Sequence, residues 1–109
     1  PAAARKQWLP GALEVQGENF VEEGAVSALR NGKSLLPVGV KRVIGNLRRG
    51  DVVELCGPDG AEIGRGLAEY YGVEAGRIAG YQSDEIEKEL GYRGRAVMVH
   101  RDDLVLFEK

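Results

Sequence analysis

At 109 residues the chain has room for one small domain with a modest core. Apolar residues make up 43% and charged residues 29%, the balance of a globular domain, and no run approaches the ~20 apolar residues of a membrane span. The single cysteine excludes an internal disulfide, and with one histidine it excludes a structural zinc site. A reducing cytoplasm is therefore expected, and Pro1–Lys6 leads into no apolar core of a signal peptide. The chain opens on Pro1 and its only methionine is Met98, so it reads as a piece of a longer protein or one processed at its start. Net charge is −2, unevenly spread. Six basic residues and no acidic one lie between Gly24 and Gly50 (Arg30, Lys33, Lys41, Arg42, Arg48, Arg49), leaving nine basic and seventeen acidic residues elsewhere. Such a segment either contacts phosphate or is a solvated face balanced by acids.

In chain order, residues 1–12 read as an arm. Trp8 is an anchor and Pro10-Gly11 a break. Leu13 to Val15 is a candidate first strand, turned at Gly17 and Asn19. Val21, Ala25, Ala28 and Leu29 recur at helical spacing, with Glu22 and Glu23 in the first turn and Gly32 as the stop. Val40, Val43 and Ile44 predict a strand. Asp51 to Cys56 predicts another, with Val53 and Leu55 on one face. Pro58-Asp59-Gly60 marks a hairpin. In the next strand Gly64 and Gly66 alternate with Ile63, Arg65 and Leu67, the pattern of a backbone approached closely. Glu74 to Ala79 predicts a helical turn ended by Gly80. Ser83 predicts the cap of a second helix, carrying Ile86 and Leu90 and closed by Gly91. Val97 and Val99, then Leu104 to Phe107, predict the last strands, joined by a turn at His100 to Asp103. The order is β-α-β-β-β-α-α-β-β. The fold class is mainly β with short helices, a small, partly closed barrel.

The chemistry-bearing patterns are mostly excluded by spacing. Gly32-Lys33-Ser34 resembles the end of a phosphate-binding loop, but the required glycine five positions earlier is Ser27, and Pro37 and Gly39 stop the helix that should follow. Gly64-x-Gly66 begins a dinucleotide fingerprint whose third glycine is replaced by Glu69. Cys56 sits on a core strand, where thiols are inert, and His100 reads as a turn residue with a local hydrogen bond. The carboxylates at Asp102-Asp103 and from Asp84 to Glu89 read as solvated faces. No catalytic or metal residue is assigned. What remains is a binding or accessory module whose working surface is a cationic turn. Lys33 and Ser34 could donate to phosphate, with backbone N–H groups near Gly32 and Gly39. The plain alternative is that the glycines only shape the turn while Leu35, Leu36 and Val38 plug the barrel end.

Several motifs agree in order with a known family. Gly24-Ala25-x-x-Ala28-Leu29 and Gly32-Lys33-Ser34-Leu35-Leu36-Pro37-x-Gly39-Val40 resemble the start of a PUA domain, a small pseudo-barrel. Arg49-Gly50-Asp51-Val52-Val53, Arg77-Ile78-Ala79-Gly80, Leu90-Gly91-Tyr92 and Val99-His100-Arg101-Asp102-Asp103-Leu104 resemble the C-terminal PUA domain of bacterial glutamate 5-kinase. On that resemblance residues 1–12 are a linker arm at the end of a preceding amino-acid kinase domain and residues 13–109 the PUA domain. The resemblance implies a parent enzyme that uses Mg-ATP to phosphorylate the side-chain carboxylate of L-glutamate in proline synthesis. All catalytic and cofactor sites would lie in the kinase domain, and none falls on this chain. Its partners would be that domain, touched through Trp8 and Tyr70-Tyr71, and further copies of a self-associating enzyme, with no membrane. The family also implies RNA contact, which maps to Arg30, Gly32, Lys33, Ser34, Gly39, Lys41 and Arg42. A net acidic domain departs from the usual basic surplus of RNA binders. Two readings follow: an accessory domain that tunes activity or assembly, and an RNA-binding module.

Overall fold

The computed structural model describes residues 14–107. Leu13, where the first strand is expected to begin, lies outside the described residues, as does the arm of residues 1–12. Strand β1 runs Val15–Val21, through the Gly17 and Asn19 expected to turn the chain. Both are there for tertiary reasons. A Cβ on Gly17 would lie 2.5 Å from the Ile44 carbonyl oxygen, and Asn19 is buried between its ladder partners Val43 and Leu55. Val21, read as part of the helix, ends this strand fully buried.

Helix α1, Glu23–Arg30, keeps the expected acidic first turn and basic last turn. It stops at Gly32, whose φ of 81° is left-handed. There the Gly32 N–H bonds to the Leu29 carbonyl (3.0 Å) and the Lys33 N–H to the Ala28 carbonyl (3.1 Å), the paired bonds of a Schellman end. A 3-10 turn, Pro37–Gly39, leads into β2, Val40–Ile44. Next come β3, Val52–Cys56, and β4, Glu62–Leu67, joined by the predicted hairpin. Asp59 accepts the Ala61 N–H at 3.1 Å within that turn. Helix α2 spans Gly72–Ile78 and α3 Ile86–Leu90. Ser83 does not cap α3. It opens a 3-10 turn, Ser83–Glu85, in which the Gln82 N–H donates to the Glu85 carboxylate at 3.4 Å. A last 3-10 turn, Arg101–Asp103, precedes β5, Leu104–Leu106. No strand forms around Val97. Val99 makes only an isolated bridge to Leu35, because Leu35 takes backbone bonds from both Met98 and Val99.

The sheet order is β2-β1-β3-β4-β5, with β1 and β3 parallel and the other pairs antiparallel. Val53 and Leu55 fall on its inner face as predicted, in a core with Val21, Leu29, Tyr70 and Val99. Tyr70 is 1% exposed and donates its hydroxyl to the Arg95 carbonyl at 2.5 Å. The glycines of β4 meet the expected close approach. A Cβ on Gly64 would collide with the Val105 carbonyl of β5, and one on Gly66 with the Val99 side chain.

A second close approach joins three segments. Gly17 lies against the Ile44 carbonyl and Leu47, and Gly45 against the backbone of Gln16 and Gly17. Gly72, at the start of α2, would place a Cβ 2.6 Å from the Gly45 carbonyl. Its N–H donates to the Leu47 carbonyl at 2.9 Å. This crossing anchors α2 on the end of β2 and buries Leu47 to 2% exposure. No side chain fits between these backbones.

On the other face of the sheet, the Cys56 thiol donates to Glu54 at 3.4 Å, and Glu18 stands across the ladder from Glu54. Burial, then the Glu54 hydrogen bond and neighbouring negative charge, push the Cys56 pKa up to about 12. Burial also raises the Glu54 carboxyl, against the thiol bond and with help from Glu62 and Glu18. A folded thiol pKa above the unfolded value keeps its proton while the unfolded chain loses its own. Stability is therefore full below the unfolded pKa and falls as pH rises toward the folded one.

Two outcomes are expected. Gly72→Ala should destabilise the domain by about 1–3 kcal/mol, whereas Gly76→Ala, with open space around it in the same helix, should stabilise it by about 0.5–1 kcal/mol. Urea midpoints of the two variants check the pair. From about pH 9 upward, stability should fall by at most ~1.4 kcal/mol per pH unit from this thiol. Cys56→Ala should flatten that slope in denaturation curves taken at stepwise alkaline pH.

Candidate functional site

The end of α1 builds the surface that the cationic sequence indicated. The left-handed Gly32 turns the chain out of the helix and leaves Lys33 exposed beside half-buried Ser34. The Ser34 hydroxyl oxygen accepts the Arg101 N–H at 2.8 Å, tying this turn to a segment 67 residues away. Leu35 then dives into the core at 1% exposure. Leu36 and Val38 do not plug the fold as expected. They stand 43% and 39% exposed, because the 3-10 turn starting at Pro37 directs only Leu35 and Pro37 inward. Gly39 lets the turn press on α1: a Cβ there would lie 2.7 Å from the Ala25 Cβ. The Gly39 carbonyl accepts the Glu22 N–H at 2.8 Å and so supplies the start of α1 with a partner.

Two concavities flank Lys33. One, of about 420 Å³, is an apolar groove floored by Gly24, Ala25 and Ala28, walled by Leu36 and Val38 and closed by Lys33 and Ser34. The other, of about 450 Å³, gathers Arg30, Gly32, Lys33 and Arg101 against Asp102 and the β5 residues Leu104 to Leu106. Lys41 and Arg42 are elsewhere, with Phe20 and the 57–60 hairpin around a third hollow of about 300 Å³. The Arg42 guanidinium lies 4.3 Å from the Phe20 ring centroid, its partner across the ladder. Arg48 lies on the turn whose N–H is held by Asp51 at 2.9 Å, and Arg49 lies 5.6 Å from the Tyr71 ring centroid.

The single cationic segment of the sequence is thus divided. Arg30, Gly32, Lys33, Ser34 and Gly39 come together; Lys41 and Arg42 form a separate corner. Arg101 is the residue that spacing alone missed. Its only sequence signal was membership of the 99–104 motif, and the Ser34 bond brings it to the site. Trp8 lies outside the described residues. Of the tyrosine pair, Tyr70 is core and Tyr71 is 49% exposed.

The remaining chemistry is local. The His100 Nδ1 accepts the Asp102 N–H at 3.0 Å, the turn role expected of it, while the Cys56 thiol is engaged by Glu54. Among the described residues, Glu18, Glu54 and Cys56 bring donor atoms within 4.8 Å of one another. No described helix is long and apolar enough to cross a membrane.

Comparison with known proteins follows the same geometry. The PUA domain family profile matches residues 17–90, from β1 to the end of α3. A glutamate 5-kinase of Rhizobium rhizogenes is 57% identical over 106 residues, covering 97% of this chain and 27% of that protein. One from Allorhizobium ampelinum is 54% identical over 109 residues, covering the whole chain and 28% of that protein. The chain therefore spans about a quarter of the length of these relatives and matches their C-terminal part. Among solved structures, a PUA domain from Aeropyrum pernix superposes with a TM-score of 0.55 and 29% identity, over 77% of this chain and 41% of that one. A chain of an archaeal box H/ACA Nop10–Cbf5 ribonucleoprotein complex gives 0.56 at 21% identity, over 78% of this chain and 23% of that one, a likeness of fold. With residues 17–90 matched by that profile, the chain belongs to the PUA domain family.

Proposed function

We propose that this chain is the accessory C-terminal domain of a glutamate 5-kinase and that it tunes the activity or assembly of that enzyme. The observation that carries this is the identity of 54–57% sustained over essentially the whole chain against only the C-terminal part of the relatives. The parent would transfer phosphate from Mg-ATP to the side-chain carboxylate of L-glutamate in the cytoplasm, as a homo-oligomer, for proline synthesis. That chemistry, with its nucleotide and metal, is assigned to the preceding amino-acid kinase domain, the same-chain partner of this one. No residue here is given a part in it.

RNA binding is the second reading, and one observation favours it. Arg30, Lys33 and Arg101 converge on one hollow at the end of α1, where cations can meet successive phosphates. Ribonucleoprotein chains among the fold neighbours support it only through the shared architecture. The surrounding surface opposes it, since the rest of the chain carries an acidic excess.

In the full-length kinase, deleting residues 13–109 should leave phosphate transfer measurable and change either its steady-state kinetics or its sedimentation behaviour. Unchanged kinetics together with unchanged assembly would sink the accessory reading. On the RNA reading, titration with single-stranded RNA at two salt concentrations should show binding that weakens with salt. Lys33→Glu and Arg101→Glu should each flatten the slope by about 0.7 or more. The accessory reading expects no binding at either salt concentration.

A further inference from the structure

The open edge of the sheet and the cationic hollow form one surface. β5 ends the sheet order, and among the described residues no strand pairs with its outer side. The Phe107 N–H bonds to the Ile63 carbonyl at 2.8 Å. The register runs back through Leu106 opposite Gly64 and Val105 opposite Arg65. In an antiparallel ladder the direction of hydrogen bonding alternates from residue to residue. Val105 and Phe107 therefore aim their N–H and C=O groups at β4, and Leu104 and Leu106 aim theirs at the open side. Residues two apart on a strand repeat these groups every 6.8 Å or so, about twice the rise per residue. Leu104 to Leu106 also line the hollow of about 450 Å³ that holds Arg30, Lys33 and Arg101. All three cations are exposed, and among the described residues none of them has an ion-pair partner. Asp102, the carboxylate in the lining, lies 3.7 Å from His100 Nδ1.

We propose that this edge accepts an added strand from an acidic, extended segment of a partner protein. Leu104 and Leu106 supply the main-chain bonds, and the three cations select the partner. An added strand turns alternate side chains to one face, so carboxylates at every second residue suit the cationic hollow. Charge decides among the occupants. A second copy pairing edge to edge would bring two sets of these cations together, and charged residues on an edge oppose such pairing. A single strand of RNA is held by stacking its bases on aromatic side chains, whereas the described lining of the hollow is aliphatic, with Leu29, Leu104 and Leu106. RNA would also leave the N–H and C=O groups of Leu104 and Leu106 without the evenly spaced partners that a peptide backbone carries. The proposal rests on the accessory reading and names the chemistry of the partner that this corner would hold.

The test uses the 109-residue chain and an acetylated, amidated octapeptide of alternating Glu and Thr, whose threonines favour extended backbone. Titration should move the amide resonances of Leu104 and Leu106 most. Lys33→Glu and Arg101→Glu should each weaken binding about fivefold. Asp102→Asn should tighten it, while Lys88→Glu, the same charge change on α3, leaves it unchanged. Circular dichroism verifies that each variant folds. The same peptide N-methylated at every residue keeps its charge but cannot donate to a ladder, and it should bind about tenfold more weakly. Absence of binding overturns the proposal, as does equal binding of the N-methylated peptide, which reduces the surface to a charged patch. Octauridylate that moves the same resonances and binds more tightly than the peptide also overturns it and assigns the hollow to RNA. Deletion kinetics of the full-length kinase test the accessory reading by themselves, so the two fail separately.

Discussion

The constraint on which this fold depends is contact between backbones with no side chain between them. Gly17, Gly45 and Gly72 bring the start of β1, the end of β2 and the start of α2 into direct contact. Because nothing larger than hydrogen fits there, α2 is anchored on the β2 end and Leu47 is sealed beneath it. On the far side Gly64 meets the β5 backbone in the same way, while Gly66 leaves room for the Val99 side chain against β4. A domain this small cannot bury a deep core. Backbone-to-backbone packing brings short elements close enough for Val21, Leu55, Tyr70, Ile78 and Val99 to share one interior.

The candidate surface is built on this frame. Gly32 ends α1 with paired backbone bonds, and Gly39 lets the following turn lie flat on the helix. The result is a rigid corner at which Lys33 separates an apolar groove from a cationic hollow. Ser34 uses its hydroxyl oxygen to hold the Arg101 backbone, so its first task is structural. Placing Arg101 beside Arg30 and Lys33 concentrates positive charge locally on a domain that is acidic elsewhere.

Much of the fold was legible because several signals are local. The helix ending at Gly32, the Pro58-Asp59-Gly60 hairpin, the Val53/Leu55 face and the Gly91 stop all follow from conformational preferences within a few residues. The misreadings share one cause. Gly17 and Asn19 look like a turn, yet they occupy a central strand because the crossing excludes a Cβ and the ladder supplies both neighbours. Val97 to Val99 looks like a strand, yet it pairs only where Leu35 reaches it. Leu36 and Val38 look like core, but a 3-10 turn of three residues changes which side chains point inward.

By itself the sequence determined the family and the helix-turn-strand unit that carries the candidate residues, because the motif order and the turn residues are encoded locally. Tertiary structure alone decided how the charges are grouped. It separated Lys41 and Arg42 from Lys33 and brought in Arg101 from 67 residues away. It also determined which apolar residues remain outside. Charge grouping and exposure depend on where distant strands meet, and in this protein those meetings are set by glycine backbones whose role appears only once the opposing carbonyl is in place.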